Sequence, residues 1–209
     1  MKKKLLSAVM LCTLGLVVGC GDDKEVIDPP DTTPKLDTQA NILAFLDGKT
    51  LVMSGTNIPS HPNGYDEDID YGNATQCYKS VTMTVAAGTF SVNSIPGTIE
   101  NSPGVGQPGG TCNHDLAKNP LAFNSTSVVM ENIAADGSCF DVTFNYPGGL
   151  VQEGRGGFSA DHKQLKLEIF FKGQSSGARC ATGAVGADGT ITLNGKPFAG
   201  KAVQAYVIQ

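Results

Sequence analysis

Tyr78-Lys79-Ser80-Val81-Thr82-Met83-Thr84-Val85-Ala86 decides the fold class of this chain. Val81, Met83 and Val85 alternate with Ser80, Thr82 and Thr84, the period of a strand with one buried and one solvated face. Ala86-Ala87-Gly88 turns the chain and Thr89-Phe90-Ser91-Val92 returns it, so the unit reads as an antiparallel hairpin.

The pattern recurs downstream. Leu121 to Ile133 is a strand region bent near Asn124. Phe140, Val142, Phe144 and Tyr146 alternate with Asp141, Thr143 and Asn145 before the turn Pro147-Gly148-Gly149. In the next strand Gly154, Gly156 and Gly157 predict a bulge or a sharp bend. Leu165, Leu167, Ile169 and Phe171 alternate with Lys166 and Glu168, and Ile191 with Leu193, then Val203, Ala205 and Val207, close the chain. Asn41-Ile42-Leu43-Ala44-Phe45-Leu46, with Thr38 as N-cap and Gly48 as its stop, reads as one short helix. Long loops are expected at 55–76 and 101–120, where Gly and Pro cluster.

Strands joined by short turns cannot make parallel crossovers, which need a dozen or more residues. The expected fold is therefore all-β: an antiparallel meander of about eight or nine strands closing into a barrel of lipocalin-like size, which removes exposed edges. A two-sheet sandwich is the alternative.

Four cysteines fall within this region: Cys77, Cys112, Cys139 and Cys180. None has C-x-x-C spacing, so disulfides are expected and zinc is not. Three pairings are possible. Cys77–Cys112 and Cys139–Cys180 are favoured because each closes a loop within consecutive hairpins, and each would contribute about 3–4 kcal/mol.

The first twenty residues carry a different message. Lys2, Lys3 and Lys4 precede an uncharged run from Leu5 to Val18, which ends in Gly19-Cys20. A cationic start, a short apolar middle and a small-residue exit describe a secretory signal, and the run is too short to span a bilayer comfortably. Leu16-Val17-Val18-Gly19-Cys20 resembles the lipobox of bacterial lipoproteins. The resemblance covers these residues alone. It implies a signal of residues 1–19, a diacylated thiol and acylated amine on Cys20, and a membrane anchor. One acyl chain binds a bilayer only marginally, so multiple chains are what make such attachment durable. Gly21 rather than Asp follows the cysteine, which by the same resemblance favours the outer membrane. Residues 20–40, rich in Asp, Pro and Thr, read as a disordered tether. Residues 41–209 then form a single β domain.

Without the three signal lysines, 12 basic residues stand against 20 acidic ones, a net charge of −8. No basic stripe exists to track phosphates, so nucleic acid is not an expected partner. Asp66, Asp68 and Asp70 alternate in one acidic run, the only candidate for a Ca²⁺ site. The EF-hand pattern fails there, because Tyr71 and Cys77 stand where its glycine and bidentate acid belong.

His61, His114 and His162 are the only histidines, and no Gly-x-Ser-x-Gly elbow accompanies them. Glu153 and Glu168 are the best glycosidase-like pair, with Glu168 expected to face solvent. Arg155 stands among glycines. It is either buried and paired with Glu153 or placed to hold a ligand carboxylate bidentately. The composite expectation is a membrane-anchored binding domain for a small apolar ligand or an envelope protein partner, without a cofactor. A hydrolase using Asp/Glu with His61 or His114, and a purely structural envelope component, are the rivals.

Overall fold

A computed structural model of the chain describes residues 33–59, 77–103, 109–193, 195–198 and 202–209. Residues 34–209 form one compact unit. Its elements are the helix α1 (Gln39–Leu46) and the strands β1 (Thr50–Ser54), β2 (Tyr78–Ala86), β3 (Thr89–Pro96), β4 (Thr98–Glu100), β5 (Thr111–Asn113), β6 (Leu121–Asn124), β7 (Ser127–Glu131), β8 (Phe140–Asn145), β9 (Val151–Phe158), β10 (Gln164–Phe171), β11 (Ser175–Ser176), β12 (Thr192–Leu193), β13 (Lys196–Pro197) and β14 (Gln204–Ile208).

Nine strands make one antiparallel sheet in the order β6-β3-β2-β1-β14-β10-β9-β8-β7. This sheet curls into a half-barrel, as the alternation predicts, and is a single curved layer rather than a two-sheet sandwich. Its outermost strands, β6 and β7, are separated in sequence by only Ser125 and Thr126. Ser125 still pairs with β3: its N–H donates to the Phe90 carbonyl and its Oγ accepts the Phe90 N–H, each at 2.9 Å. Thr126 already pairs with β8, donating to the Asn145 carbonyl at 2.7 Å. The bend expected near Asn124 is thus the point where one strand changes partners, and the two sheet edges meet there through the chain itself. β4 pairs with β5, and β11-β12-β13 form a third small sheet.

The inward faces supply the main core, including Leu51, Val81, Met83, Phe90, Phe140, Phe144, Leu165, Leu167 and Tyr206. α1 begins two residues earlier than Asn41. Thr38 caps it by accepting the Asn41 N–H at 3.2 Å, and Gly48 follows it at φ 73°. Packing starts earlier still, because Leu36 is buried in the core. The sequence places residues 36–40 in the tether, since a lone leucine among polar residues carries no periodicity. Ile42 and Leu46 are fully buried, a contribution of about 1.5–3 kcal/mol each. Gln39 covers the backbone of edge strand β7, donating to the Val128 carbonyl at 3.2 Å and accepting the Met130 N–H at 2.7 Å. An edge covered in this way cannot template another chain.

The glycines of β9 do not make a bulge: both of its ladders run without a register shift. They permit close approach instead. A Cβ on Gly154 would lie 1.9 Å from the Glu168 carbonyl oxygen, and one on Gly156 would strike the Phe140 ring at 2.7 Å. The one shift among these ladders lies between Tyr78 and Ser80 on β2.

A second core lies on the outward face of β10. Phe170 packs there with Ala178, Ile191, Leu193 and Ala202, contributed by the chain between β10 and β14. Cys139–Cys180 ties this covering segment down, with Cα atoms 5.9 Å apart. Cys77–Cys112, with Cα atoms 5.4 Å apart, joins the start of β2 to β5. Both favoured pairings are present.

Candidate functional site

The inward positions of the half-barrel are filled differently at its two ends. At the end holding α1 and the β9–β10 turn, aromatic rings close the interior: Phe45 meets Phe158 edge-on at 5.6 Å, and Phe158 meets Phe140 at 6.0 Å. At the other end β6 pairs, among the described residues, with β3 alone, and the chain leaves β8 at Tyr146-Pro147. A cavity of about 390 Å³ opens there, lined by Tyr78, Ser94, Pro96, Leu121, Phe123, Tyr146, Pro147, Leu150, Gln152 and Phe171.

Register explains why this mouth is open. Ser94 pairs with Leu121 and Val92 with Phe123, so Leu121 and Phe123 share the inward face with the core residue Val92. Leu121 nevertheless remains 57% exposed, and Leu150 across the gap 44%. Ser94 is small and leaves volume where a leucine or phenylalanine would fill it. The Phe123 and Tyr146 rings meet edge-on at 5.2 Å, a preferred aromatic geometry. Burial pushes the Tyr146 hydroxyl above the ordinary tyrosine range. Tyr206 is raised as well, by burial first and then by the neighbouring hydroxyls of Tyr78 and Tyr146. These phenols are neutral at physiological pH. At this size the cavity falls within the roughly 300–1,000 Å³ of small-molecule sites.

Arg155 is not in the mouth. It points outward from β9, opposite Glu168 on β10 and Asp141 on β8, and is 0% exposed beneath the covering segment. Its Nε donates to Glu168 Oε2 at 2.5 Å, Nη1 to the Gly183 and Arg179 carbonyls at 2.8 and 3.4 Å, and Nη2 to Thr190 Oγ1 at 3.0 Å. The expected Glu153 partner is corrected to Glu168. Two residues along a strand lie some 6.6 Å apart, whereas the residue directly opposite is about 5 Å away. Glu153 pairs with Arg179 at 2.9 Å instead. Glu168, expected in solvent, is 3% exposed and also accepts the Gly186 N–H at 3.0 Å. Asp141, likewise buried, accepts from the Cys180 N–H at 2.8 Å and Asn132 Nδ2 at 2.7 Å. Together these contacts bind the covering segment to the barrel wall. The two glutamates of the glycosidase-like pair each face an arginine.

His114 and His162 lie at opposite ends. His114 Nδ1 donates to the Tyr78 carbonyl at 2.6 Å, close to the Cys77–Cys112 bridge. The His162 ring stands edge-on to Phe45 and Phe158. His61, together with Asp66, Asp68 and Asp70, lies outside the described residues, as does Cys20. Among the described residues no group of three or more His, Cys, Asp or Glu is arranged to hold a metal, and no helix is long and apolar enough to cross a membrane.

The mouth residues Ser94, Leu121, Phe123, Leu150 and Gln152 carry no site signal of their own in the sequence. The available signal is the break at Asn124, since a strand that changes partners leaves one of its halves without a second neighbour. Comparison with known protein families, with characterised proteins and with solved structures finds no match for this chain.

Proposed function

We propose that this chain is a lipid-anchored extracytoplasmic protein whose half-barrel mouth binds a small apolar ligand. The lipobox-like Leu16–Cys20 supports the anchor and an outer-membrane location. The observation that carries the binding role is the cavity of about 390 Å³ between β6 and the β8–β9 turn, walled by Leu121, Phe123, Tyr146, Leu150 and Phe171. Two inward or rim leucines kept in water are costly to leave uncovered, and an apolar guest removes that surface from solvent. The Cys77–Cys112 bridge fixes the backbone next to Tyr78 in the cavity wall, which lowers the ordering cost of binding.

The binding test uses N-phenyl-1-naphthylamine, a neutral fluorophore that brightens in apolar surroundings. The wild-type chain is expected to bind it, and Leu121→Asp to weaken binding by at least ~10-fold, or about 1.4 kcal/mol, with an unchanged melting profile. Equal binding by both proteins overturns the assignment. An apolar segment of an envelope protein is the competing occupant. It would be revealed by crosslinking from the mouth in cells together with failure of the purified chain to take up the fluorophore. The anchor is tested separately by Cys20→Ser, which is expected to release the protein from the membrane fraction. Retention without a change in mass rejects it.

A further inference from the structure

The order of side chains from floor to rim narrows the class of ligand, provided that the mouth is a binding site at all. Ser94 and Gln152, each 3% exposed, contribute a hydroxyl and a carboxamide to the cavity wall. Leu121 and Leu150 stand at the solvent side. The polarity is therefore inverted relative to a site that swallows a hydrocarbon tail: neutral polar groups are deep and aliphatic ones shallow.

We infer that the mouth takes a neutral amphiphile, such as an alcohol, amide or phenol, with its polar end inward between Ser94 and Gln152 and its hydrocarbon against Leu121 and Leu150. A pure hydrocarbon at that depth would set only apolar surface against the hydroxyl and the carboxamide and offer neither a hydrogen bond. A carboxylate there would be desolvated with no cation to pair with, because none of the described residues lining the cavity is charged. The buried guanidinium of Arg155 faces the other side of the sheet and is committed to Glu168, Thr190 and two carbonyls. Tyr146, which burial holds above the ordinary tyrosine range, stays protonated and adds no charge to the mouth. Exposed Lys172 follows the lining residue Phe171 at the rim. A carboxylate bound tail-first would seek its ammonium group, so the head group reports orientation.

The experiment compares 1-decanol with decanoate by calorimetry on the purified chain at neutral pH. 1-Decanol is expected to bind at least ~10-fold more tightly. The double variant Ser94→Ala/Gln152→Leu is expected to lose several-fold affinity for 1-decanol while leaving decanoate unchanged, with both proteins equally folded by circular dichroism. Decanoate binding as well as or better than the alcohol overturns the neutral-head assignment. A double variant that binds 1-decanol normally overturns the inward orientation. In either case, loss of both ligands in Leu121→Asp leaves the mouth itself standing as the site. If neither ligand binds the wild-type chain, or Leu121→Asp binds both normally, the binding role of the mouth fails and the neutral-amphiphile assignment falls with it.

Discussion

The two ends of the half-barrel are built from the same alternating strands, yet one is solid and the other open. At the α1 end the inward positions hold Phe90, Phe140 and Phe158, and the helix adds Ile42 and Leu46 over them. At the mouth the corresponding rows end in Ser94 and Gln152, β6 has no neighbour on one side among the described residues, and Leu121 on the inward face stays largely exposed. Alternation dictates which side chains face in. Their volume, and whether a neighbouring strand is present, dictates whether that space is filled. The proposed binding role rests on the second condition.

The contrast is broken most severely at the solid end. Phe90 is fully buried against Phe144, their rings 5.3 Å apart, so Phe90→Ala is expected to cost about 3–5 kcal/mol in urea unfolding. A loss below about 1 kcal/mol would mean the solid end is not packed as described. The next effect lies at the mouth: replacing both Cys77 and Cys112 with Ala frees a 35-residue separation and is expected to remove about 3–4 kcal/mol. It should also weaken ligand binding, because Cys77 adjoins Tyr78 in the cavity wall. Unchanged binding would separate the bridge from the site. Leu121→Ala sharpens the contrast from the other side, with an expected stability change within about 0.5 kcal/mol and a clear loss of affinity. A stability cost matching that of Phe90→Ala would erase the distinction between the ends.

The smallest effect concerns the turn beneath His162. Asp161 accepts from the Ser159 hydroxyl at 2.6 Å and the Lys163 N–H at 3.2 Å, and these two bonds hold its carboxyl below the ordinary aspartate range. A depressed value favours the ionised folded state, so its stabilisation is present above the usual Asp pKa near ~4 and fades as pH falls through the folded value. Asp161→Asn should therefore be slightly less stable than wild type at neutral pH and equal to it in acid. A difference that persists in acid contradicts this role for the carboxylate.

Much of the architecture is legible in the sequence because it depends on local signals. The hairpin from Tyr78 to Val92, the bend at Asn124, the Thr38 cap and both disulfide pairings all follow from residues close in sequence or from loop closure between adjacent hairpins. Glu168 is misplaced by the sequence pattern for a non-local reason. Its alternation with Leu167 and Ile169 correctly assigns it to the outward face, but nothing in that pattern shows that residues 178–193 return to cover it. Arg155 stands out as unusual yet is matched to the wrong glutamate, since cross-strand partners depend on register rather than on sequence distance. In β14 the buried residues are Gln204 and Tyr206, while the aliphatic Val203, Ala205 and Val207 are only half-buried. The mouth is the least legible feature. A cavity is made of missing volume, and Ser94 and Gln152 look like ordinary polar strand residues until their neighbours are known.

Methyl-resolved NMR of the chain titrated with 1-decanol examines both ends in one experiment. The methyl signals of Leu121 and Leu150 are expected to shift in a saturable manner while those of Ile42, Leu46 and Leu51 stay fixed. Saturable shifts confined to the α1 end or to Ile191 and Leu193 on the outer face, or no shift at any site, would contradict the proposed binding role of the mouth.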